Sequence, residues 1–362
     1  MDGIDVAFVE TDGRAQVRRG PSGFTPYDDA DRALLRAALA AAVGMNSRDA
    51  RPPVVAEAEG MVTTRHAMAV ETFIEENGIA REKVDLLGFH GQTILHRPAD
   101  RLTIQIGDGH SLARSLGIAV AYDFRAQDVA GGGQGAPIVP AYHRALVEAS
   151  DLCGPVVLVN VGGVANITWI GEGADPVACD TGPGNALLDD LMLVRTGRPI
   201  DRHGHTAARG RVDETALRAL LSHPFFALPP PKSLDRNAFS AEAVAHLVTE
   251  DAAATLTAFT AASIAGALPL LPAMPGHLIV CGGGARNPIL VRELVQRVPC
   301  RVTTADAVGW SSDAMEAQAF GYLAARTLQR LPLTFPTTTG ITAPTSGGRI
   351  ARPILGHELI NL

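Results

Sequence analysis

PVVLVNVGGVANITWI, residues 155–170, is the stretch that decides the fold. Its valines and isoleucines favour strand, and Gly162-Gly163 interrupts the run midway, so it reads as two strands, VLVN and ANITWI, joined by a tight glycine turn. Downstream, PVACDTG (176–182) is a strand running into a loop and NALLDDLMLV (185–194) is a helix. Residues 240–271 are expected to form one long, buried helix. HLIVCGGGARN (277–287) reads as a strand entering a glycine loop with a helix after it, CRVTT (300–304) as a strand, and DAMEAQAFGYLAARTLQ (313–329) as a helix.

Upstream the same alternation appears. Residues 28–45 open with Asp caps and carry Ala and Leu at helical spacing. A second helix is expected over about 63–77, stopped by Asn77-Gly78. VDLLGF (84–89), LTIQIG (102–107) and GIAVAYDF (117–124) read as strands. Apolar runs separated by helices predict an α/β chain with a mainly parallel sheet flanked by helices. The pattern restarts near residue 150, and the Pro-, Thr- and Gly-rich tail after 330 is expected to pack back. The expected halves are therefore 1–149 with 331–362, and 150–330.

A chain of 362 residues has room for two such domains. Lys plus Arg is 31 and Asp plus Glu is 38, a net charge of −7, which argues against a nucleic-acid partner. A hydrophobic content of 46% with 19% charged residues excludes a mostly disordered chain. Cys153, Cys179, Cys281 and Cys300 have no zinc-like spacing and read as buried apolar fillers. No run is expected to span a membrane, and MDGIDVAFVE carries carboxylates where a signal peptide needs positive charge, so a cytoplasmic location is expected.

Chemistry in such a fold sits in loops at the carboxyl ends of strands. Five are polar and glycine-rich: FHGQTILH (89–96), DFRAQDVAGGGQGAP (123–137), NVGG (160–163), CDTGPGN (179–185) and CGGGARN (281–287). One glycine pair alone is an ordinary tight turn. Five in one topological position suggest backbone nests for phosphate, two of them followed by helix N-termini. Neither a Walker A loop nor GxGxxG occurs in the right context, which disfavours a P-loop enzyme and a simple dinucleotide dehydrogenase.

The glycine hairpin and the late strand–GGG–helix, LIVCGGGARNPIL, resemble the actin/hexokinase/Hsp70 ATPase superfamily. Within it, GFHGQT, TIQIG, DFRAQDVAGGGQGAPIVPAYH, LVNVGGVANIT, DTGPGNALLDD, CGGGARN and DAMEAQAFGYLAAR together resemble the anhydro-N-acetylmuramic acid kinase family, from residue 2 to about 345. The resemblance implies a two-domain actin-like (ribonuclease H-like) fold with a central interdomain cleft. It implies ATP as cofactor, with Mg2+ arriving on it, and an anhydro amino sugar as small-molecule partner. The implied activity opens 1,6-anhydro-N-acetylmuramic acid with water and phosphorylates O6. It serves peptidoglycan (cell wall) recycling and amino sugar catabolism in the bacterial cytoplasm, and a homodimer is allowed.

Two departures stand out. Family members open with a strand and a Gly-Thr-Ser-x-Asp-Gly-x-Asp phosphate loop, whereas this sequence opens inside that loop at Met1-Asp2-Gly3-Ile4-Asp5. The missing strand is expected to be internal to its sheet, so its neighbours lose ladder partners. A start codon placed too late and a truncated, inactive kinase are the two readings. In PPKSLDRNAF (230–239), Lys232, Ser233 and Arg236 match the family, while Asn237 stands where it has an acid.

Roles carried over by the resemblance each have a plainer alternative. Asp180 matches the catalytic base, or is a loop-organising cap. His90, Gln92, Thr93, Gln105, Gly133 and Gln134 would contact the sugar, although a satisfied buried histidine is the plainer reading of His90. Arg125 would hold the substrate carboxylate, or else pair with Asp123 or Asp128. Glu316 would hold the sugar, or is a first-turn helix acid. Asn160, Gly162 and Gly163 match the second phosphate hairpin, and Gly282, Gly283, Gly284 and Asn287 the adenosine loop. Asp2, Gly3 and Asp5 are the remainder of the first phosphate loop. No His/Cys cluster in the sequence suggests a tightly bound metal. A nucleotide-driven conformational protein of the same superfamily would need the ATP loops without GFHGQT, DFRAQD and DTGPGN together.

Overall fold

The computed structural model describes residues 2–235 and 238–353, so Arg236 and Asn237 lie outside it. The chain divides into two units, Met1–Ala149 with Glu316–Leu362, and Ser150–Met315. The boundary falls near 150 as expected, but residues 316–330 group with the first unit, not the second.

The first unit opens with an antiparallel hairpin, β1 (Gly3–Thr11) and β2 (Val17–Pro26). Helix α1 (Asp29–Ala42) starts where the Asp28 side chain accepts from the Asp31 amide, and α2 spans Pro53–Glu76. The second helix begins ten residues earlier than the apolar spacing suggested, because Pro53 at its first position needs no amide partner. Then come β3 (Leu87–Phe89), β4 (Gln92–Arg97), β5 (Leu102–Ile106), α3 (Gly109–Leu116), β6 (Val120–Tyr122), α4 (Ala126–Ala130) and α5 (Pro140–Glu148). Residues 92–97, read as loop, are a strand paired antiparallel with β5. Leu35, Val55, Val62, Ile104, Leu112 and Val120 are fully buried in one core.

In the second unit, β7 (Val156–Val161), β8 (Val164–Ile170), β9 (Val177–Pro183), α6 (Ala186–Thr196), α7 (Glu214–Leu221), α8 (Thr249–Ala267), β10 (His277–Cys281), α9 (Pro288–Arg297) and β11 (Arg301–Thr304) follow in order. Its five strands run β11-β10-β7-β8-β9, parallel on the β10 side and antiparallel from β7 to β9. The sheet is mixed rather than mainly parallel because the glycine turn returns β8 directly alongside β7. The expected helix over 240–271 is α8 alone, preceded by a short turn at Glu242–Val244. With its continuation to Leu270, α8 is long and apolar enough to cross a membrane, contrary to expectation, yet 72% of that window is buried. Ala261 and Ile264 pack on the sheet while Leu256 and Phe259 pack with α6 and α7, which explains an apolar surface all round.

The chain returns to the first unit with α10 (Met315–Leu328), α11 (Pro336–Thr339) and β12 (Arg349–Ala351), the last pairing with β6. Contacts place α10 there. A Cβ on Gly88 would stand 2.1 Å from the Phe320 carbonyl oxygen, the Tyr142 hydroxyl meets Gln318 Oε1 at 2.9 Å, and Arg326 donates to the Gly13 carbonyl at 2.9 Å. The three-stranded sheet β12-β6-β3 ends at β3, and β1 pairs with β2 alone among the described residues. Both β1 and β3 line a cavity of about 870 Å3, together with Val70, Phe73 and Phe320. Of the four thiols, all free, Cys179 and Cys281 are buried as expected, Cys300 is half-buried and Cys153 is exposed.

Candidate active site

In the second unit, β9 carries Asp180 opposite Asn166 of β8. Its backbone amide donates to the Lys232 carbonyl at 2.9 Å, and its Oδ2 accepts from the Leu234 amide at 2.7 Å. The Lys232–Leu234 segment thereby screens the carboxylate from water. Burial lifts the Asp180 pKa to about 6, with the Leu234 amide partly opposing the rise. Lys232 is held in turn, its Nζ donating to the Phe225 carbonyl at 3.1 Å and lying 4.6 Å from that residue's ring centre. A buried carboxylate of raised pKa is a stronger proton acceptor than an exposed one, and at a pKa of about 6 it is still ionised near neutral pH.

The glycine turn is fixed by the start of α6. Gly184 and Ala186 donate to the Gly163 carbonyl, and Asn185 donates to the Gly162 carbonyl at 2.8 Å. Asn160 ends β7 opposite Cys281 of β10, where the chain turns through Gly282 at φ +73°. A Cβ on Gly282 would stand 2.3 Å from Asn160 Oδ1, so only glycine lets the two loops approach. Gly283 is exposed and Gly284 buried. Asn287 Oδ1 caps α9, accepting from Ile289 at 3.0 Å and Leu290 at 3.3 Å, which makes Asn287 an organiser of the loop. Asn160, Gly162, Gly163 and Gly282 are thus brought together, with Asp180 on the same sheet.

The first unit assembles a second cluster. Arg125 Nε donates to His90 Nε2 at 3.1 Å and its Nη1 to the Gly135 carbonyl at 2.8 Å. His90 Nδ1 faces the Gly91 carbonyl at 3.0 Å, and burial, then the Arg125 charge, push its pKa down to about 3. His90 is therefore a neutral, satisfied histidine and an acceptor for Arg125. Burial also lowers the Arg125 pKa, an effect opposed by the charges of Glu316 and Asp128. Arg125 forms no ion pair with Asp123, which pairs with Arg48 and Arg349. Asp128 Oδ2 accepts from Gly135, its Oδ1 from Thr339, and the Gln134 amide donates to the Thr339 carbonyl at 2.7 Å, holding the loop around Gly133. Thr93 and Gln105 pair across β4 and β5, joined by Gln105 Nε2 to Thr93 Oγ1 at 3.3 Å, while Gln92 Nε2 donates to the Thr93 carbonyl. Glu316 is exposed at the start of α10.

Asp2, Gly3 and Asp5 form no loop. The Asp2 carbonyl accepts from Tyr27, and Gly3 and Asp5 sit opposite Pro26 and Phe24 in the hairpin. The segment instead pairs along β2. Sequence reasoning missed Arg48 and the pairing of Asp123 with Arg349. No local pattern signals either, because the partners lie far apart in the chain.

Glycine loops fixed ahead of helices and a buried carboxylate with a pKa lifted to about 6 are parts that a phosphotransferase of the actin-like ATPase class would use. The family model described as anhydro-N-acetylmuramic acid kinase matches residues 1–353, and the chain belongs to that family. The anhydro-N-acetylmuramic acid kinase of Rhodopseudomonas palustris (strain BisB18) is 58% identical over 354 residues, covering 98% of this chain and 97% of that protein. The anhydro-N-acetylmuramic acid kinase of Methylobacterium nodulans is 54% identical over 363 residues, covering 98% of this chain and 97% of that protein. Among solved structures, the (R)-2-hydroxyglutaryl-CoA dehydratase component A of Acidaminococcus fermentans aligns with a TM-score of 0.45 at 9% identity, over 90% of this chain and 99% of that one.

Proposed function

We propose that this chain uses ATP and water to open 1,6-anhydro-N-acetylmuramic acid and phosphorylate its O6, with Asp180 as the base. The observation that carries this reading is the environment of Asp180: one amide bond, burial and a pKa of about 6. Ionised at neutral pH, Asp180 takes a proton from a water whose oxygen forms a bond to C1. The C1–O6 bond breaks, O6 takes its electron pair and bonds to the γ-phosphorus, and ADP leaves. The proton on Asp180 returns to solvent. The loops at Asn160–Gly163 and Gly282–Gly284 supply backbone groups for the nucleotide, and the His90–Arg125 cluster with Gln92, Thr93, Gln105, Gly133, Gln134 and Glu316 supports the sugar.

Mg2+ enters with the nucleotide and offsets the phosphate charge when bound. No three His, Cys, Asp or Glu side chains converge as a metal cage among the described residues, which suits an ion that keeps its waters and phosphate oxygens. The reading places the protein in the bacterial cytoplasm, in cell-wall recycling, with a homodimer allowed. The test is ATP turnover with and without the anhydro-sugar. Turnover that requires the sugar supports the kinase, and sugar-independent turnover supports a nucleotide-driven conformational protein.

A further inference from the structure

Asp180 is covered by a stretch with no regular structure of its own. LPPPKSLD, residues 228–235, forms neither helix nor strand. Its prolines at 229–231 bring no amide donors, so the stretch lacks what a ladder along β9 needs. Its hold on β9 comes from two bonds to one residue: the Asp180 amide donates to the Lys232 carbonyl at 2.9 Å, and the Leu234 amide donates to Asp180 Oδ2 at 2.7 Å.

What steadies the stretch is the Lys232 side chain. Its Nζ donates to the Phe225 carbonyl at 3.1 Å and the Phe226 carbonyl at 3.4 Å, and lies 4.6 Å from the centre of the Phe225 ring. Those carbonyls belong to a short turn, Pro224–Ala227, that the core holds firmly. Phe225 is buried, and the Phe226 ring meets Phe259 of α8 edge-on at 5.8 Å. A Cβ on Gly182 would stand 3.2 Å from the Phe226 ring, so the same turn also packs on β9 two residues past Asp180. Lys232 therefore ties the irregular stretch to an anchored turn, and burial lowers its own pKa.

The ammonium does not reach Asp180 as a charge: burial raises the carboxyl and the Leu234 amide opposes the rise, with no contribution from Lys232. The other titratable group beside Asp180 on β9 is the Cys179 thiol, pushed up by burial to about 12 and so uncharged. Asn166 of β8 lies opposite and Ser263 of α8 packs on Gly182, neither of them ionisable, and Asp235 is exposed beyond Leu234.

We propose that Lys232 is a positioning residue for Asp180, acting through the backbone of residues 232–234 to keep the carboxylate covered and aimed. This rests on the reading of Asp180 as the base. Releasing Lys232 should let water reach the carboxylate. Because burial outweighs the Leu234 bond, the Asp180 pKa should then fall, and a weaker base abstracts a proton more slowly. A role for Lys232 as a nearby charge would move that pKa the other way, so the sign separates the two.

The test titrates Asp180 directly in the full chain by carbon NMR of aspartate labelled at its carboxyl, with Asp180→Asn identifying the signal. Lys232→Met keeps the apolar stem without the donors, and its midpoint should fall from about 6 by about one pH unit or more. In parallel the acid limb of kcat/KM should move with it and kcat at pH 7.5 should drop about tenfold, with the KM for ATP unchanged. Lys232→Arg, which restores donors and the ring contact, should bring the midpoint at least halfway back. Should Lys232→Met fail to fold, Lys232→Gln is read by the same criterion. A folded Met or Gln variant whose midpoint stays near 6 or rises would overturn the proposal, even where its rate falls. A midpoint that falls while the kcat/KM profile stays in place would keep Lys232 as the positioning residue and remove Asp180 as the base.

Discussion

In the second unit every strand from β11 to β9 is bonded to the next, and β7 has a partner on each side. In the first unit β1–β2 and β3–β6–β12 are separate sheets, with the 870 Å3 cavity lined by both β1 and β3. Asp180 and the glycine loops at Gly162–Gly163 and Gly282–Gly284 hang from the continuous sheet. Gly3–Asp5, which the family resemblance matched to a phosphate loop, belongs to the two-stranded hairpin.

The largest expected effect comes from Asp180→Asn, which tests the continuous sheet. Asn still accepts from Leu234 but takes no proton, so kcat should fall on the order of 10³-fold with nucleotide and sugar binding kept. In the wild type, kcat/KM should rise with pH and level off above about 6, where Asp180 ionises. A variant with wild-type kcat would remove Asp180 from the base role.

The two units should also answer acid in opposite directions. His66, His90 and His143, all in the first unit, are pushed down by burial to about 4, 3 and 4. Their folded pKa values lie below the unfolded 6.5, so their stabilisation is complete above that pH and is lost as pH falls. Near pH 5 the slope should approach roughly 4 kcal/mol per pH unit. Asp180 is raised, so the second unit is relieved as pH falls through 6 toward 4. Hydrogen exchange resolved by unit should show the first unit opening earlier at pH 5 than at pH 7.5. Equal protection in both units at both values would contradict the comparison.

The smallest effect separates the two cores by packing. Ala7→Leu adds volume to the cavity wall and should stabilise by about 1 kcal/mol, whereas Val159→Phe in the fully buried β7 should destabilise by about 1–3 kcal/mol. Calorimetric melting of both variants checks the pair, and destabilisation by Ala7→Leu would mean the cavity is already closed to side chains.

Much of this was legible locally. The hairpin over 155–170, the strand carrying Asp180, the strand ending at Cys281, and α10 follow from residue type and period, because strand and helix preferences act over a few neighbours. The candidate base was legible from the likeness of DTGPGN to the family, and the structure places it in the middle of β9. Other features were set at long range. Residues 92–97 are a strand because they pair with β5, and the nine residues before Thr249 lie outside α8. The raised pKa of Asp180 comes from burial, its one amide partner, Leu234, lies 54 positions away, and the Arg48–Asp123 pair spans 75. Burial and charge pairing are properties of what the folded chain brings together, and neither has a local sequence period. The sequence by itself determined the elements, the glycine loops and the family. Only the tertiary structure decided which sheet is continuous, which unit holds α10, and which arginines face a shared acid.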